Sequence, residues 1–573
     1  MATAKATAKP AAKSTAKKKK KKKAATPLNG FFHYAERGGT FSGEIVAGVV
    51  MGVLAVCGMF MNMQLVCTLN VTAYTESTAT QIATNGEIYA LTWLASMIVA
   101  TVGTLLMGLV ARLPLVQVTS LSLSTVLVST ASLNTGLTYY NMLAIVFVAN
   151  LVYLVIAAIP QVRRFVYQAL PAPVRAALPA AAGLLMAYVA AQLSGVFTTA
   201  ATLTSYGTSE NFGASSVYTS SLLAGITDFS YLSDLYHPQM LLSFLAVVLA
   251  VVVYLYSRPK GTPVGKALLF GTVFFLVGIV LACGVNWKSF NFSLSFIYAR
   301  AFMVGAEDAM QYHLSAAFGN LGILDVFTQG FDFSSFTGEG GDIVTVFASC
   351  MLSYVFLFLY DADSTFVAVA DETDEPALDA DGAMLPLVLN AGTNVLAAAI
   401  GAAPVAIGKE SVAGAKDKAK SGLSAVVAAI IFAISAVVWL VPALMATITS
   451  YSVTFNLYGH YGKVMQLLTQ TSFSVADAVM MLVGLSMVVR SFTIDVKDVK
   501  QAAPFIATVA ATFFFSNLAA GVAMGTVAHV LVNLSAPKRR KGQPKVSFME
   551  RVGGVPVLVW AAVSVILLVL ICL

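Results

Sequence analysis

Long apolar runs with short polar connections repeat along the chain from residue 45 onwards. Runs of about 20 apolar residues have the length that a helix needs to cross the hydrocarbon of a bilayer. They lack the polar and apolar alternation of a membrane barrel, so the pattern predicts helices. It predicts fourteen membrane segments, near residues 45–69, 88–111, 115–129, 137–159, 174–197, 240–256, 264–284, 343–370, 384–401, 404–414, 421–447, 475–490, 502–516 and 517–534. A further run, Val555–Leu573, is long enough to form an extra C-terminal helix.

The third and tenth segments are too short to span as complete helices, and they hold matching positions when the fourteen are divided into two sevens. An odd number of spans in each half makes the halves inverted repeats. Short matching segments in such repeats indicate the binding site of a transporter. The predicted fold is therefore an all-α polytopic membrane protein with two inverted repeats of seven transmembrane segments. The alternative is that 115–129 is a surface re-entrant segment without a ligand.

This fold predicts five divisions of the chain. They are a polybasic cytoplasmic tail and entry segment at 1–43, the first repeat at 44–284, an extracellular loop at 285–342, the second repeat at 343–534, and a basic loop with the last apolar helix at 535–573.

The positions of the basic residues agree with a count of fourteen segments. Lysine and arginine favour the cytoplasmic ends of membrane segments, and the basic connections all follow even-numbered segments. They are Arg112, Arg163 with Arg164, Arg258 with Lys260 and Lys266, Lys416–Lys420, Arg490–Lys500 and Lys538–Lys541. The long connections near 198–239 and 285–342 contain few of these residues and are expected outside. A multi-pass protein of the cell membrane with a cytoplasmic N-terminus is predicted.

Composition excludes an ordinary soluble domain, because 58% of the residues are hydrophobic and only 11% are charged.

The tail Ala2–Thr26 includes the seven-lysine run Lys17–Lys23, which predicts disorder and attraction to anionic lipid headgroups rather than to nucleic acid. The five cysteines have no metal-ligand spacing and are interpreted as small core residues. No cofactor or metal is expected.

Acidic residues inside these segments are the candidate functional groups. A carboxylate within a membrane costs several kcal/mol unless it is paired or hydrated, so it indicates function. Glu410 lies in the short tenth segment, and Asp361 and Asp363 lie in the eighth. Positions two apart on a helix point about 200° away from each other, so only one of the two aspartates is expected to face a central cavity. Lys409 is expected to pair with Glu410 or to face water.

Three stretches resemble one family of transporters. Phe31-Phe32, Glu36-Arg37-Gly38 and Glu44–Gly48 look like the entry to its first helix. Tyr360–Ala370 is similar in register to its eighth-helix motif, and Glu410–Gly414 with Ser421–Val427 resembles its tenth and eleventh helices. The chain thereby resembles the AzgA-like hypoxanthine/guanine permeases of the nucleobase:cation symporter-2 family.

This resemblance implies uptake of a purine nucleobase (hypoxanthine, guanine or adenine) by proton symport, with an elevator-type motion between a core and a gate domain. It implies a substrate site at Asp361, Glu410, Ser124 and Ser411, with Glu410, Asp361 and Asp363 as candidates for proton coupling. Ser124 stands where the family has an asparagine. Tyr360 and Phe366 are expected either to stack on the base or to pack in the core.

Other functions stay open. The same architecture suits another small polar solute or an anion, and a receptor or scaffold without transport is a further alternative. An enzyme is not expected, because the chain has no HExxH, GxSxG or CxxC motif. The expected partners are the nucleobase, the proton and membrane lipids. The oligomeric state is open, with a homodimer considered.

Overall fold

A computed structural model describes residues 27–67, 94–133, 137–193, 197–199, 230–232, 238–258, 261–286, 324–334, 336, 342–373, 382–448, 475–492, 494–535 and 547–572. The lysine-rich tail and most of the two long connections lie outside these residues, so the predictions made for them stay predictions. Within the described residues the protein is almost entirely helical.

The first half contains nine helices among its described residues. These and its strands are α1 (Pro27–Phe32), α2 (Phe41–Cys67), α3 (Leu94–Ala111), β1 (Gln117–Thr119), α4 (Leu121–Leu133), α5 (Tyr139–Ala158), α6 (Pro160–Ala169), α7 (Ala172–Leu193), β2 (Phe197–Thr199), β3 (Ser230–Leu232), α8 (Pro238–Ser257) and α9 (Pro263–Asn286). Strands β2 and β3 pair with each other in an antiparallel ribbon.

The second half begins with the same order, three helices, a strand and two further helices. Its described elements are α10 (Asp325–Thr328), α11 (Ile343–Thr373), α12 (Met384–Ala399), β4 (Val405–Ile407), α13 (Glu410–Lys416), α14 (Gly422–Ile448), α15 (475–491), α16 (Val499–Phe514), α17 (Leu518–Ser535), α18 (Phe548–Val552) and α19 (Val555–Cys572).

The described helices fit a protein that crosses a membrane many times. Five are long and apolar enough to cross by themselves: Phe41–Met59, Leu94–Ala111, Tyr139–Ala158, Ala172–Ala191 and Ile343–Thr373. Each of the fourteen predicted segments is found as a helix or as a strand followed by a helix. The predicted all-α polytopic fold is confirmed, and the extra C-terminal run forms a helix.

We describe the helices as two sets, a core group and a gate group, and α11 of the core group also packs against α7, α17 and α19 of the gate group. In the core group, α2 contacts α4, α13 and α14, while α5 contacts α11 and α12. In the gate group, α7 contacts α16 and α17, α8 contacts α9, and α19 contacts α17. Helix α15 joins the gate group through α7, where a methyl group added at Gly183 would lie 2.6 Å from the carbonyl oxygen of Gly484. Small residues allow such close approach between membrane helices.

Polar contacts join the core group to the gate group. Arg175 of α7 donates two hydrogen bonds of 3.1 Å to the carboxylate of Asp363 on α11. Arg490 of α15 lies 3.0 Å from the carboxylate of Glu372, at the end of α11. Asp417, after α13, accepts hydrogen bonds from the first turn of α9, including one of 2.6 Å from the amide of Gly265. Any relative movement of the groups must break or stretch these contacts.

Candidate functional site

A two-stranded ribbon joins the third and tenth predicted segments, each of which is broken into a short strand followed by a helix. Strand β1 pairs antiparallel with β4, with Gln117 opposite Ile407 and Thr119 opposite Val405. The ladder continues at its ends, where Ser120 donates to the carbonyl of Pro404 over 3.0 Å and Gly408 donates to the carbonyl of Val116 over 2.9 Å. Pro404 has no amide hydrogen to donate to a helical hydrogen bond, which fits the break before β4.

The outer edges of this ribbon are closed by side chains from neighbouring helices. Thr104 of α3 accepts a hydrogen bond from the amide of Gln117 at 2.9 Å and donates one to its carbonyl at 3.2 Å. Asn394 of α12 does the same for Val405, at 2.7 Å from the amide and 2.6 Å from the carbonyl. Unpaired backbone groups in a membrane each cost several kcal/mol, so these side chains make a ribbon tolerable there.

This closure has a pseudo-twofold pattern. Gln117 and Val405 are the first residues of their strands, and each is held by one side chain from the helix that precedes the strand. Those helices, α3 and α12, are the second and ninth predicted segments, which hold matching positions in the two halves. The arrangement supports the interpretation of the chain as two inverted halves.

We expect Asn394→Ala to destabilise the protein strongly. It leaves the amide of Val405 without a partner and leaves its carbonyl with only a 3.5 Å hydrogen bond from Asn390, and each buried unsatisfied group costs about 1–3 kcal/mol. The measurement is the apparent melting temperature of the purified protein in detergent. The matched control is Asn150→Ala, because Asn150 is also buried but donates only to Val146 of its own helix, at 2.9 Å. Equal losses in the two variants would contradict the role of Asn394.

A cavity of about 170 Å³ lies where the ribbon meets the starts of α4 and α13. Both helix groups contribute to its wall, which contains apolar side chains from α2, α7 and α15. Its polar lining residues are Thr119, Ser120, Ser122, Thr125, Tyr188, Asp361, Lys409, Glu410, Asp477 and Ser516. The first turn of α4 presents its helix N-terminus to this space, where amide hydrogens have no partner within the helix.

Lys409 forms an ion pair across the cavity wall, with its Nζ 2.7 Å from Oδ1 of Asp361. The same Nζ donates to Oγ1 of Thr365 at 2.8 Å and to the backbone carbonyl of Asp361 at 2.9 Å. The expectation that Lys409 pairs with Glu410 or faces water is therefore wrong. The lysine is adjacent to Glu410 in sequence, but its long side chain extends to α11.

Glu410 is buried and lines the cavity at the start of α13. Among the described residues it has no ion-pair partner. Its carboxylate lies beside α2, where a methyl group added at Gly58 would be 3.2 Å from Oε1. Because Gly58 has no side chain, there is space beside α2 for the carboxylate of Glu410.

Asp361 and Asp363 face different partners, as their spacing predicts. Asp361 lines the cavity and pairs with Lys409, whereas Asp363 pairs with Arg175 of the gate group and lies outside the cavity lining. The proposed coupling role of Asp363 stays a prediction, and the structure gives this residue a position between the two helix groups.

The structure does not bring Ser124 and Ser411 to the cavity. The hydroxyl of Ser411 accepts a hydrogen bond of 3.0 Å from the amide of Val116, so it fixes the chain before β1. Ser124 is fully buried behind the lining. The hydroxyl-bearing residues Ser120, Ser122 and Thr125 line the cavity instead.

Tyr360 and Phe366 belong to the core packing and do not line the cavity. The ring of Tyr360 packs edge-on against Trp560 of α19, with centroids 6.2 Å apart, and Phe366 is fully buried. The aromatic residue of the described lining is Tyr188 on α7.

Asp477 is a lining residue that sequence reasoning missed. It lies near the start of α15, is 6% exposed, and its Oδ2 has no hydrogen-bond partner among the described residues. The signal was present, because an aspartate in the apolar segment 475–490 is an intramembrane carboxylate in the same sense as Glu410.

In comparisons with known proteins, no family model and no curated protein sequence matches this chain. The structure is similar to the transmembrane domain of a cyanobacterium bicarbonate transporter, BicA, with 14% sequence identity and a TM-score of 0.41, over 84% of this chain and 97% of that chain. It is also similar to SLC26A9, with 12% identity and a TM-score of 0.42, over 87% of this chain and 66% of that one.

Proposed function

We propose that this protein is a secondary transporter that takes up a purine nucleobase together with protons. One observation carries the proposal, namely a cavity at the junction of two broken segments in a membrane protein, with polar groups from both helix groups around it. Transporter sites are built in this way, because backbone that is not helical is tolerated in a membrane only where it is buried or lines a cavity.

The size and chemistry of the cavity suit a small planar solute. An engineered cavity of about 150 Å³ binds a benzene ring, so about 170 Å³ is enough for a compact ring system. A nucleobase presents N–H donors and carbonyl or ring-nitrogen acceptors. Glu410 and Asp477 supply acceptors, the hydroxyls of Ser120 and Ser122 supply both kinds of group, and Tyr188 offers an aromatic face.

An anion such as bicarbonate, which is the solute of BicA, is the second candidate. The lining charges disfavour it. Three carboxylates, those of Asp361, Glu410 and Asp477, stand against the single ammonium group of Lys409, which already pairs with Asp361. An anion would have to enter beside uncompensated negative charge, and like charges repel strongly where little water screens them.

Proton coupling follows from the same carboxylates. A buried carboxylate without a cation is costly in its ionised form, so protonation of Glu410 compensates its charge when the site is closed to water. The two helix groups then move relative to each other in an elevator-type motion, which requires that the contacts of Arg175, Arg490 and Asp417 be released.

The experiment is uptake of radiolabelled hypoxanthine into cells that lack their own purine permeases. We expect accumulation above equilibrium that disappears when a protonophore collapses the proton gradient. Radiolabelled bicarbonate, adenine and guanine are measured in parallel. Bicarbonate uptake without uptake of any nucleobase would overturn the assignment in favour of the anion. Absence of transport with every solute, from a protein shown to be in the membrane, would favour a receptor.

A further inference from the structure

Asp477 occupies a position that the resemblance to nucleobase permeases does not assign. It belongs to α15 of the gate group, whereas Asp361 and Glu410 belong to the core group. All three line one cavity, so carboxylates approach the solute space from both sides of the interface between the groups. Asp477 and Glu410 both lie within electrostatic range of the buried thiol of Cys57 on α2, which places them in one neighbourhood.

The charges around Asp477 are unbalanced. The titratable and charged groups that line the cavity with it are Tyr188 on α7, Asp361 on α11, and Lys409 and Glu410 at the start of α13, and Cys57 on α2 lies nearby outside the lining. Helices α9 and α17 present Gly271 and Leu518 to this region, and neither residue titrates. The single cation in this set is engaged by Asp361. The ammonium group of Lys409 also attracts the carboxylate of Glu410 through space, whereas Asp477 has no compensating charge among the described residues.

A buried carboxylate oxygen without a hydrogen-bond partner is a costly arrangement for the ionised group. Asp477 has such an oxygen, and it is almost completely shielded from water. No described residue supplies the missing positive charge, and a bound proton can supply it. The described residues include no group of three or more His, Cys, Asp or Glu side chains that could hold a metal ion, and a proton needs no such ligand set.

We propose that Asp477 is a second proton-binding carboxylate of the transport site, and that it forms with Glu410 a pair divided between the gate and core groups. The inference rests on the proposed proton-coupled transport. An ionised Asp477 needs hydration, and closure of the interface around the solute removes water from the cavity. Uptake of a proton neutralises this side chain, so proton binding and closure around the solute are coupled at this residue.

The first test needs no solute. Dicyclohexylcarbodiimide modifies protonated carboxyl groups in apolar surroundings, and mass spectrometry of the purified protein in vesicles locates the label. We expect label on the peptide that contains Asp477, more of it in acidic than in alkaline buffer, and none in Asp477→Asn. Replacement of potassium by sodium is expected to leave the labelling unchanged. An unlabelled Asp477 in acidic buffer, or protection by sodium alone, would overturn the inference.

The second test separates coupling from binding. We expect Asp477→Asn to lose accumulation of hypoxanthine above equilibrium while it retains exchange of labelled for unlabelled hypoxanthine, because the amide is permanently neutral. The matched control is Asp495→Asn, the same chemical change at an exposed position beyond the end of α15, which is expected to accumulate normally. Accumulation by Asp477→Asn equal to that of the unmodified protein would overturn the inference.

The two tests fail separately. If Asp477 is labelled in the acid-dependent way but no nucleobase is transported, the proton site stands and the purine assignment fails. If hypoxanthine is accumulated with protons but Asp477 neither reacts nor affects coupling, the transport proposal stands and the inference at Asp477 fails.

Discussion

Glu410→Gln is expected to abolish accumulation of the solute and to leave the protein folded in the membrane. The amide keeps the shape of the side chain beside Gly58 but can neither take up a proton nor act as a charged acceptor. A hydrogen bond to a charged group contributes about 1.5–3 kcal/mol, which corresponds to roughly tenfold to hundredfold in affinity. The measurements are hypoxanthine uptake in cells and binding to the purified protein.

The control for Glu410→Gln is Glu36→Gln, the same chemical change at an exposed residue in the turn after α1. We expect it to behave as the unmodified protein does. Normal accumulation by Glu410→Gln would exclude Glu410 from both binding and coupling. Loss of the protein from the membrane would instead show that Glu410 is needed for folding, and a melting curve of the purified variant separates the two outcomes.

Lys409→Met is expected to cause the second large effect, a loss of stability of about 3–5 kcal/mol, because removal of one partner leaves a buried ion pair with an uncompensated charge. The charge left behind is that of Asp361, whose side chain is 9% exposed. Methionine fills a similar volume, so the result reports charge rather than packing. The measurement is the apparent melting temperature in detergent, together with the amount of folded protein recovered.

A second change in the same protein tests the cause. Lys409→Met combined with Asp361→Asn removes both charges, and we expect it to recover much of the lost stability without recovering transport. Lys500→Met, at an exposed position in α16, is the control for replacement of a lysine by methionine. If the double variant is no more stable than Lys409→Met, the pair with Asp361 is not the reason for the loss.

Sequence patterns were sufficient to predict where the membrane segments lie. The thickness of the hydrocarbon sets their length, and the need to hydrogen-bond every backbone group in lipid favours helices. They also located both broken segments, since each is too short to span. They did not predict the ribbon between Gln117 and Ile407. Its strands are three residues long, and each pairs with a strand from the other half of the chain, so no local pattern signals the pairing.

The partners of charged residues were harder to predict than their positions. Asp361 and Glu410 were placed in the site from their sequence context, and both line the cavity. The partner of Asp361, however, is Lys409, whose 48-residue separation from it gives no local signal. The same holds for Asp363 and Arg175, which are 188 residues apart. Helical spacing predicts which face a residue occupies, and tertiary packing decides which side chain meets it.

The central ribbon has a consequence for how the protein is made. The hydroxyl of Ser411 and the amide of Val116 that it holds are 295 residues apart in the chain. At a synthesis rate of about 5–20 residues per second, the second partner leaves the ribosome roughly 15–60 s after the first. Throughout that interval β1 has no strand to pair with, although Thr104 is already present. The nascent first half must therefore be sheltered from lipid until the tenth segment arrives, and truncation before residue 405 should leave a chain that the cell degrades.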